Sequence, residues 1–413
     1  MNNSNSLIKQ EISFPDIKIG HAGKPLVLNT ADNLATLIQF YGYEAKLNLM
    51  TLETEIFHEG KCLGSPDTIK SKVISLCSLH SVPRSAIDDH LLAIAQDNTY
   101  HPVLCWLEQD TWDQIYRVDD VINCLQAKYP EVTNFVLKRW LVGCIASLVV
   151  PNFRSKLVPI LLGEQSFRKT SFIERIATVT SNSFLEGAEL NPDNKDSVLS
   201  CIKSWITELG ELERTTSHSQ GSLKAFITKS TDTVRPPYAR VDVKKPRQTS
   251  IIASVNGADF LRDRTGNSRY AVIELTGETD MNKLNALLGW KYHNTGKLTL
   301  EDGSRLRQFW LEVRHQLEVE SYGWNLMTDE QALVDRQNQK YVDKGDYYAV
   351  LHDYIMNDTG SDCAWFTSSQ ICNRVGIHVT KSNVAGKALT MLVQEGIIER
   401  KFSGGVNRYL FPV

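Results

Sequence analysis

Leu157–Thr170 reads LVPILLGEQSFRKT, an apolar run that breaks at Gly163 and then reaches a Lys-Thr pair. Leu157–Leu162 has the character of a buried strand. A helix is expected to start near Lys169, with Phe172, Ile173 and Ile176 on one face. Strand, loop and helix in this order match the phosphate-binding pattern G-x-x-x-x-G-K-[ST], except that Arg168 stands where the pattern has its second glycine. In such a loop, backbone N–H groups and the helix N-terminus face a phosphate. Lys169 then acts as a point charge and Thr170 as a magnesium ligand, with Gly163, Gln165 and Arg168 in the loop that wraps the phosphates. Glycine at position 168 would give the backbone cheap freedom that arginine does not. In exchange, the Arg168 side chain could reach the phosphates itself.

Four pieces follow the loop in chain order. Trp205–Glu208 is a short apolar strand ending in a carboxylate, with Glu211 three residues on. A phosphate-loop enzyme needs such an acid at a strand end to hold magnesium and polarise the attacking water. Asn256 directly follows the expected strand Thr249–Val255, where an amide can reach a γ-phosphate or the water that attacks it. Leu223–Lys245 joins a lysine-bearing helix (Lys224) to a Pro-Pro turn, Arg240, and a hairpin with Lys244 and Lys245 at or near its apex. That would suit a grip on a nucleic-acid backbone. Finally, Arg262, Arg264 and Arg269 flank Thr265-Gly266-Asn267, and an arginine there can be presented to a nucleotide held by a neighbouring subunit.

The flanking chain divides into further units. Residues 1–98 read as a small α+β accessory domain, with helices at Ala31–Tyr41, Asp67–Leu79 and Arg84–Gln96 and a strand over Lys46–Phe57. Residues 99–150 read as a helical collar. The loop domain spans 151–335, with a helix at Asp196–Lys203 and a last strand at Tyr270–Leu275. Strands alternating with helices indicate a parallel sheet covered on both faces. Ala286–Ser321 is expected to be helical and Arg336–Lys344 a polar linker. Residues 346–413 show three short helices, Asp346–Met356, Thr367–Arg374 and Lys381–Glu395 (capped by Thr380), closed by a hairpin around Gly404-Gly405. This is a winged-helix pattern, with Lys381, Lys387, Arg400, Lys401 and Arg408 as candidate DNA contacts.

Composition narrows the partners. A net charge of −3 over 413 residues argues against general polyanion affinity. Ser222–Val272, however, holds ten Lys/Arg against four acids, a focused basic segment. The eight cysteines show no zinc spacing, so no metal site is expected from them. Met1–Gln10 is polar and unlike a signal peptide. The longest apolar stretch, Trp140–Pro151, falls short of the roughly 20 residues a membrane span needs. The expected location is cytoplasmic, with no membrane partner.

Across Thr99–Thr276 the chain resembles the virulence-associated protein E group of phage, satellite and plasmid proteins, close to superfamily 3 helicases. The resemblance rests on Tyr100–Asp113 (YHPVLCWLEQDTWD), Leu161–Phe172, Trp205–Leu212 (WITELGEL), Leu223–Arg240 and Phe260–Ile273 (FLRDRTGNSRYAVI). It implies a multidomain α/β protein with an AAA+-like P-loop ATPase core that uses ATP and magnesium. Such cores form rings on DNA, here a homo-oligomer expected to be a hexamer, for replication of a mobile element. By position, Lys169 and Thr170 would bind phosphate and magnesium, Glu208 and Glu211 would be the acids, and Asn256 the sensor. Arg269, in the G-N-x-R-[FY] slot, would be the arginine finger. No primase is recognisable in this chain, so primer synthesis would fall to a separate polypeptide. The alternatives are a DNA-binding initiator whose ATPase core serves assembly only, and a winged-helix regulator.

Overall fold

The computed structural model describes residues 12–20, 23–210, 220–235, 241–257, 268–341, 345–357 and 362–413. Its centre is a five-stranded parallel sheet built from β1 (Val158–Leu162), β2 (Phe184–Ala188), β3 (Ile206–Leu209), β6 (Ser250–Val255) and β7 (Tyr270–Glu274). A hairpin of β4 (Thr231–Val234) and β5 (Val243–Pro246) is inserted between β3 and β6. The spatial order is β7-β1-β6-β3-β2, so the loop-bearing strand β1 lies between β6 and β7. β6 also separates β1 from β3, the strand that carries Glu208.

Successive residues of β1 alternate between two cores, as the two-residue period of a strand demands. Leu161 joins Phe172, Ile173, Trp205 and Ile252 under the helix α1 (Pro130–Val149). Val158, Ile160 and Leu162 face the other way, onto Ile202 of α3 (Lys195–Ile202) and Leu223 and Phe226 of α4 (Gln220–Ile227). Both faces are covered, as the apolar strands predicted. α1 is long and apolar enough to cross a membrane by length and composition alone, but 78% of that stretch is buried inside the protein.

Indole N–H groups fix the layers to one another. Trp140 donates to Ile251 O at 2.9 Å and Trp205 to Cys144 O at 3.0 Å, stitching α1 to the sheet. The helix that follows the loop, α2 (Lys169–Ala177), ends on carbonyls without partners in their own helix. Trp290 donates to Arg175 O (2.9 Å) and Trp310 to Ile176 O (2.8 Å), so α2 is held by its C-terminal end.

Several expectations from the sequence are corrected. Lys46–Phe57 is not one strand. It is two, Tyr43–Asn48 and Glu53–His58, paired antiparallel in a four-stranded N-terminal sheet. β2 was not foreseen. Ala286–Ser321 is interrupted by the antiparallel pair Trp290–Tyr292 and Leu298–Leu300 before α5 (Gly303–Glu318) begins. The expected linker starts inside α6 (Thr328–Asn338) and packs on the core. Buried Asn338 donates to Tyr270 O (2.6 Å) and accepts from Val272 N–H, and Tyr341 is buried too.

At the C-terminal end, α7 (Asp346–Met356), α8 (Ser368–Arg374) and α9 (Ser382–Gln394) pack on a three-stranded sheet. Its order is β8 (Cys363–Thr367), β10 (Val406–Pro412), β9 (Arg400–Ser403). Thr380 does not cap α9. It lies in a 3₁₀ turn, Val379–Lys381, and α9 starts without a side-chain cap.

Candidate functional site

β1 delivers the chain to Gly163 at the carboxyl edge of the sheet, beside the end of β6, where Gly163 N–H meets Val255 O at 3.3 Å. A Cβ on Gly163 would stand 2.7 Å from Phe167 Cδ2, so only glycine lets Phe167 fold back over the loop. Thr279 clamps the turn by donating its N–H (3.2 Å) and hydroxyl (3.0 Å) to Phe167 O. Arg168 then adopts φ 59°, ψ 30°, the left-handed conformation that the missing glycine would supply. For an L-residue this costs about 1–2 kcal/mol. The loop keeps its bend without the glycine, and the Arg168 side chain is exposed.

Lys169 opens α2 with its side chain turned inward and 6% exposed. Its ammonium donates to Gly163 O (2.6 Å), Glu164 O (2.7 Å) and Asn256 Oδ1 (2.9 Å). Burial holds its pKa below the usual lysine value, and the nearby Glu208 carboxylate opposes that shift. Thr170 donates its hydroxyl to Glu208 Oε1 at 2.7 Å. Glu208 is fully buried, and among the described residues its second oxygen, Oε2, has no hydrogen-bond partner. Desolvation raises its pKa, countered by hydrogen bonds from Thr170 and Ser254. An unpartnered buried carboxylate oxygen beside a threonine hydroxyl is a donor set suited to a hard divalent cation. Lys169 and Thr170 are the first two residues of α2, so its first-turn amides, which have no partners within the helix, lie at the same end of it.

The structure therefore brings together Lys169, Thr170, Glu208 and Asn256, with Gly163, Gln165 and Arg168 in the loop around them. Glu211, Arg240, Arg262 and Arg264 lie outside the described residues. Arg269 is at the opposite end of the sheet. Its carbonyl accepts from Val158 N–H at 2.7 Å, and the register pairs Tyr270 with Val158 and Glu274 with Leu162. Five residues of strand, about 17 Å, separate it from the loop of its own chain. Arg269 Nε is buried with no partner among the described residues, and the charge of Arg269 reinforces the desolvation that depresses the Lys224 pKa.

The expected hairpin apex is corrected. Lys244 and Lys245 lie on β5, opposite Thr233 and Asp232. Lys244 is exposed, but Lys245 is 3% exposed and its ammonium donates to Met50 O (2.7 Å) and to Ile202 O. Burial pushes its pKa down to about 7. It serves as a buried tie and is not available to a phosphate. Next to it, Arg247 pairs with Asp232 (2.6 and 2.7 Å) and stacks 4.1 Å over Phe226. The C-terminal candidates are also divided. Lys381, Lys387, Arg400 and Lys401 are exposed, but Lys401 pairs with Arg408 and lies 4.1 Å over Trp365, on the face of the sheet opposite Arg400.

Sequence reasoning missed Phe167, Thr279, Trp290 and Trp310, which set the loop and anchor its helix. No spacing rule marks them: Thr279, Trp290 and Trp310 each bind a backbone carbonyl distant in sequence, and Phe167 acts by laying its ring against Gly163.

The site thus belongs to an α/β core in which a parallel strand, a tight loop and a helix N-terminus present a buried lysine and a buried acid to one point. A sequence profile of the virulence-associated protein E-like domain matches residues 107–343, more than half of the chain, and the chain belongs to that family. Among solved structures, it is similar to the apo structure of the NrS-1 C-terminal region (305–718), at 10% identity and a TM-score of 0.45. That match covers 92% of this chain and 98% of the other. The A form of the same apo region gives 12% identity and a TM-score of 0.46, covering 92% and 99%. No curated protein matches the chain in sequence.

Proposed function

We propose that this chain is an ATP-hydrolysing, AAA+-like motor that acts on DNA in the replication of a mobile genetic element, working as a homo-oligomeric ring, a hexamer. The observation that carries this reading is the convergence of Lys169, Thr170, Glu208 and Asn256 at the N-terminus of α2. ATP would supply the phosphoanhydride bond, and magnesium, held by Thr170 and Glu208, would supply charge neutralisation. Within the chain, Lys169 exchanges its loop carbonyls for the β- and γ-phosphates, and Gln165, Arg168 and the loop amides wrap them. Glu208, with Glu211 beside it in sequence, orients and polarises water. Asn256 couples the end of β6 to the loop lysine. The distance of Arg269 from its own loop supports a role at a neighbouring subunit's nucleotide.

DNA would meet the exposed side of the β4–β5 hairpin, through Lys244, Lys224 and Arg240. It would also meet the C-terminal unit, whose three helices and hairpin we read as a winged helix, through Lys381, Lys387, Arg400 and Lys401. Primer synthesis would come from a separate primase. A second reading, an initiator that uses nucleotide for assembly only, is favoured by one observation, the left-handed Arg168 in the loop. Steady-state ATP hydrolysis with and without single-stranded DNA separates the two. DNA-stimulated turnover supports the motor, and ATP binding without turnover supports the initiator.

A further inference from the structure

The hairpin of β9 and β10 carries an aromatic side chain that no core absorbs. Phe402 is 74% exposed and joins no hydrophobic cluster among the described residues. Its direction follows from the ladder. Phe402 pairs with Asn407 and Arg400 with Tyr409, and cross-strand partners point to the same side of a sheet. Asn407 and Tyr409 both line a groove of about 490 Å³ between this hairpin, the start of α8, and α9. Phe402 and Arg400 therefore project on the groove side, with Phe402 toward the hairpin tip.

The groove has a distinct chemistry. Ser368, Ser369, Ser382, Asn383 and Thr390 give it hydroxyl and amide groups, Lys387 gives it positive charge, and none of its lining residues is acidic. A polar groove with a cation, beside an unpaired aromatic ring, matches the pairing of backbone tracking and base stacking by which single strands are held. A duplex keeps the faces of its bases stacked on one another, so the ring of Phe402 is useful only to an unpaired base. Lys401, on the other face and stacked on Trp365, is excluded from this site.

We propose that this groove binds an unpaired DNA strand, with Phe402 as the stacking platform for one base and Lys387 and Arg400 on its phosphates. The proposal rests on the reading of the C-terminal unit as a DNA-binding module and adds which form of DNA it takes.

The test uses the full chain and a labelled oligothymidine, with binding followed by fluorescence anisotropy over a salt series. Phe402→Ala should weaken binding about fivefold or more, the effect of losing one base–aromatic stack, without changing the salt slope. Phe402→Trp should restore it. On an abasic strand of equal length, wild type and Phe402→Ala should bind alike. Lys387→Ala with Arg400→Ala should reduce the log–log salt slope by about 1.4, at about 0.7 per single-strand phosphate contact. If the double variant lowers the slope but Phe402→Ala changes nothing, the stacking site is wrong while DNA binding by this unit stands. An equal loss on duplex and single strand from Phe402→Ala also overturns it. If neither variant has an effect, the reading of the C-terminal unit as a DNA-binding module fails, and the groove serves a different class of partner.

Discussion

The ammonium of Lys169 and the side-chain amide of Asn256 are joined by a 2.9 Å hydrogen bond that spans the edge of the sheet. The same ammonium holds two loop carbonyls, so any ligand that draws Lys169 away from the loop also releases Asn256 at the end of β6. Lys169→Ala should therefore abolish ATP turnover and nucleotide binding together. Asn256→Ala should keep nucleotide binding and lose about 10²-fold in turnover, the scale of one lost transition-state hydrogen-bond donor. A coupled ATPase assay and a fluorescent-nucleotide titration read both, and unchanged turnover in Lys169→Ala removes the loop assignment.

Arg168→Gly removes a side chain from a left-handed residue and should stabilise the protein by about 1 kcal/mol. Its chemical-denaturation midpoint should rise. Hydrolysis should change only modestly if wild type already turns over. Turnover gained only in the glycine variant would mark the natural loop as degenerate.

Glu208 is buried and its pKa is raised, so the folded state holds this proton more tightly than the unfolded chain does. Stability is then greatest below the ordinary carboxylate range and declines as pH rises through the raised pKa. Glu208→Gln should be more stable than wild type at neutral pH without magnesium, with the difference closing on acidification. The variant should bind nucleotide and not hydrolyse it. Thermal melts across pH, with and without magnesium, check the sign.

Arg269→Ala subunits should bind ATP through their own Lys169 yet fail to hydrolyse it as a uniform assembly. Mixing them with Lys169→Ala subunits should restore partial turnover, because interfaces with one intact half-site from each partner can form. Arg269→Lys should recover little, since a point charge lacks the forked reach of a guanidinium. Full activity of Arg269→Ala on its own would move the finger to Arg262 or Arg264.

Lys244 and Lys245 should separate cleanly. Lys244→Ala should reduce the salt slope of single-strand binding by about 0.7 and leave stability alone. Lys245→Ala should leave the slope unchanged and destabilise the fold by about 1–3 kcal/mol for each backbone carbonyl it abandons. Because its pKa is pushed down to about 7, the unfolded chain holds the lysine proton more tightly. The stability of wild type should fall as pH drops from about 10 toward 7, a dependence the variant loses.

The loop, its helix, the strand bearing Glu208 and the placement of Asn256 were legible because each is a local pattern of a few residues with its own periodicity. The paired strands within Lys46–Phe57 were not, because the turn is marked only by Asn48, whose side chain accepts from Met50 and Thr51 N–H inside an otherwise strand-like run, and Leu52 takes φ 62° without being glycine. The supposed linker looked polar, yet Asn338 is buried by bonding β7 backbone, which polarity along the chain does not reveal. Lys245 was misread for a related reason. A lysine beside another lysine on a basic hairpin has the composition of a surface, and only the carbonyls of Met50 and Ile202 show that it points inward.

That inward lysine joins three pieces at one atom: the root of the β4–β5 hairpin, the N-terminal unit at Met50, and the end of α3 that feeds the strand bearing Glu208. Lys203, next to Ile202, adds an ion pair to Glu53 at 2.8 Å. The base of the hairpin is consequently held to the N-terminal unit and to the core by the same ammonium. If nucleotide turnover swings the hairpin relative to the core, the bond to Ile202 O must break first, while the bond to Met50 O can carry the N-terminal unit along.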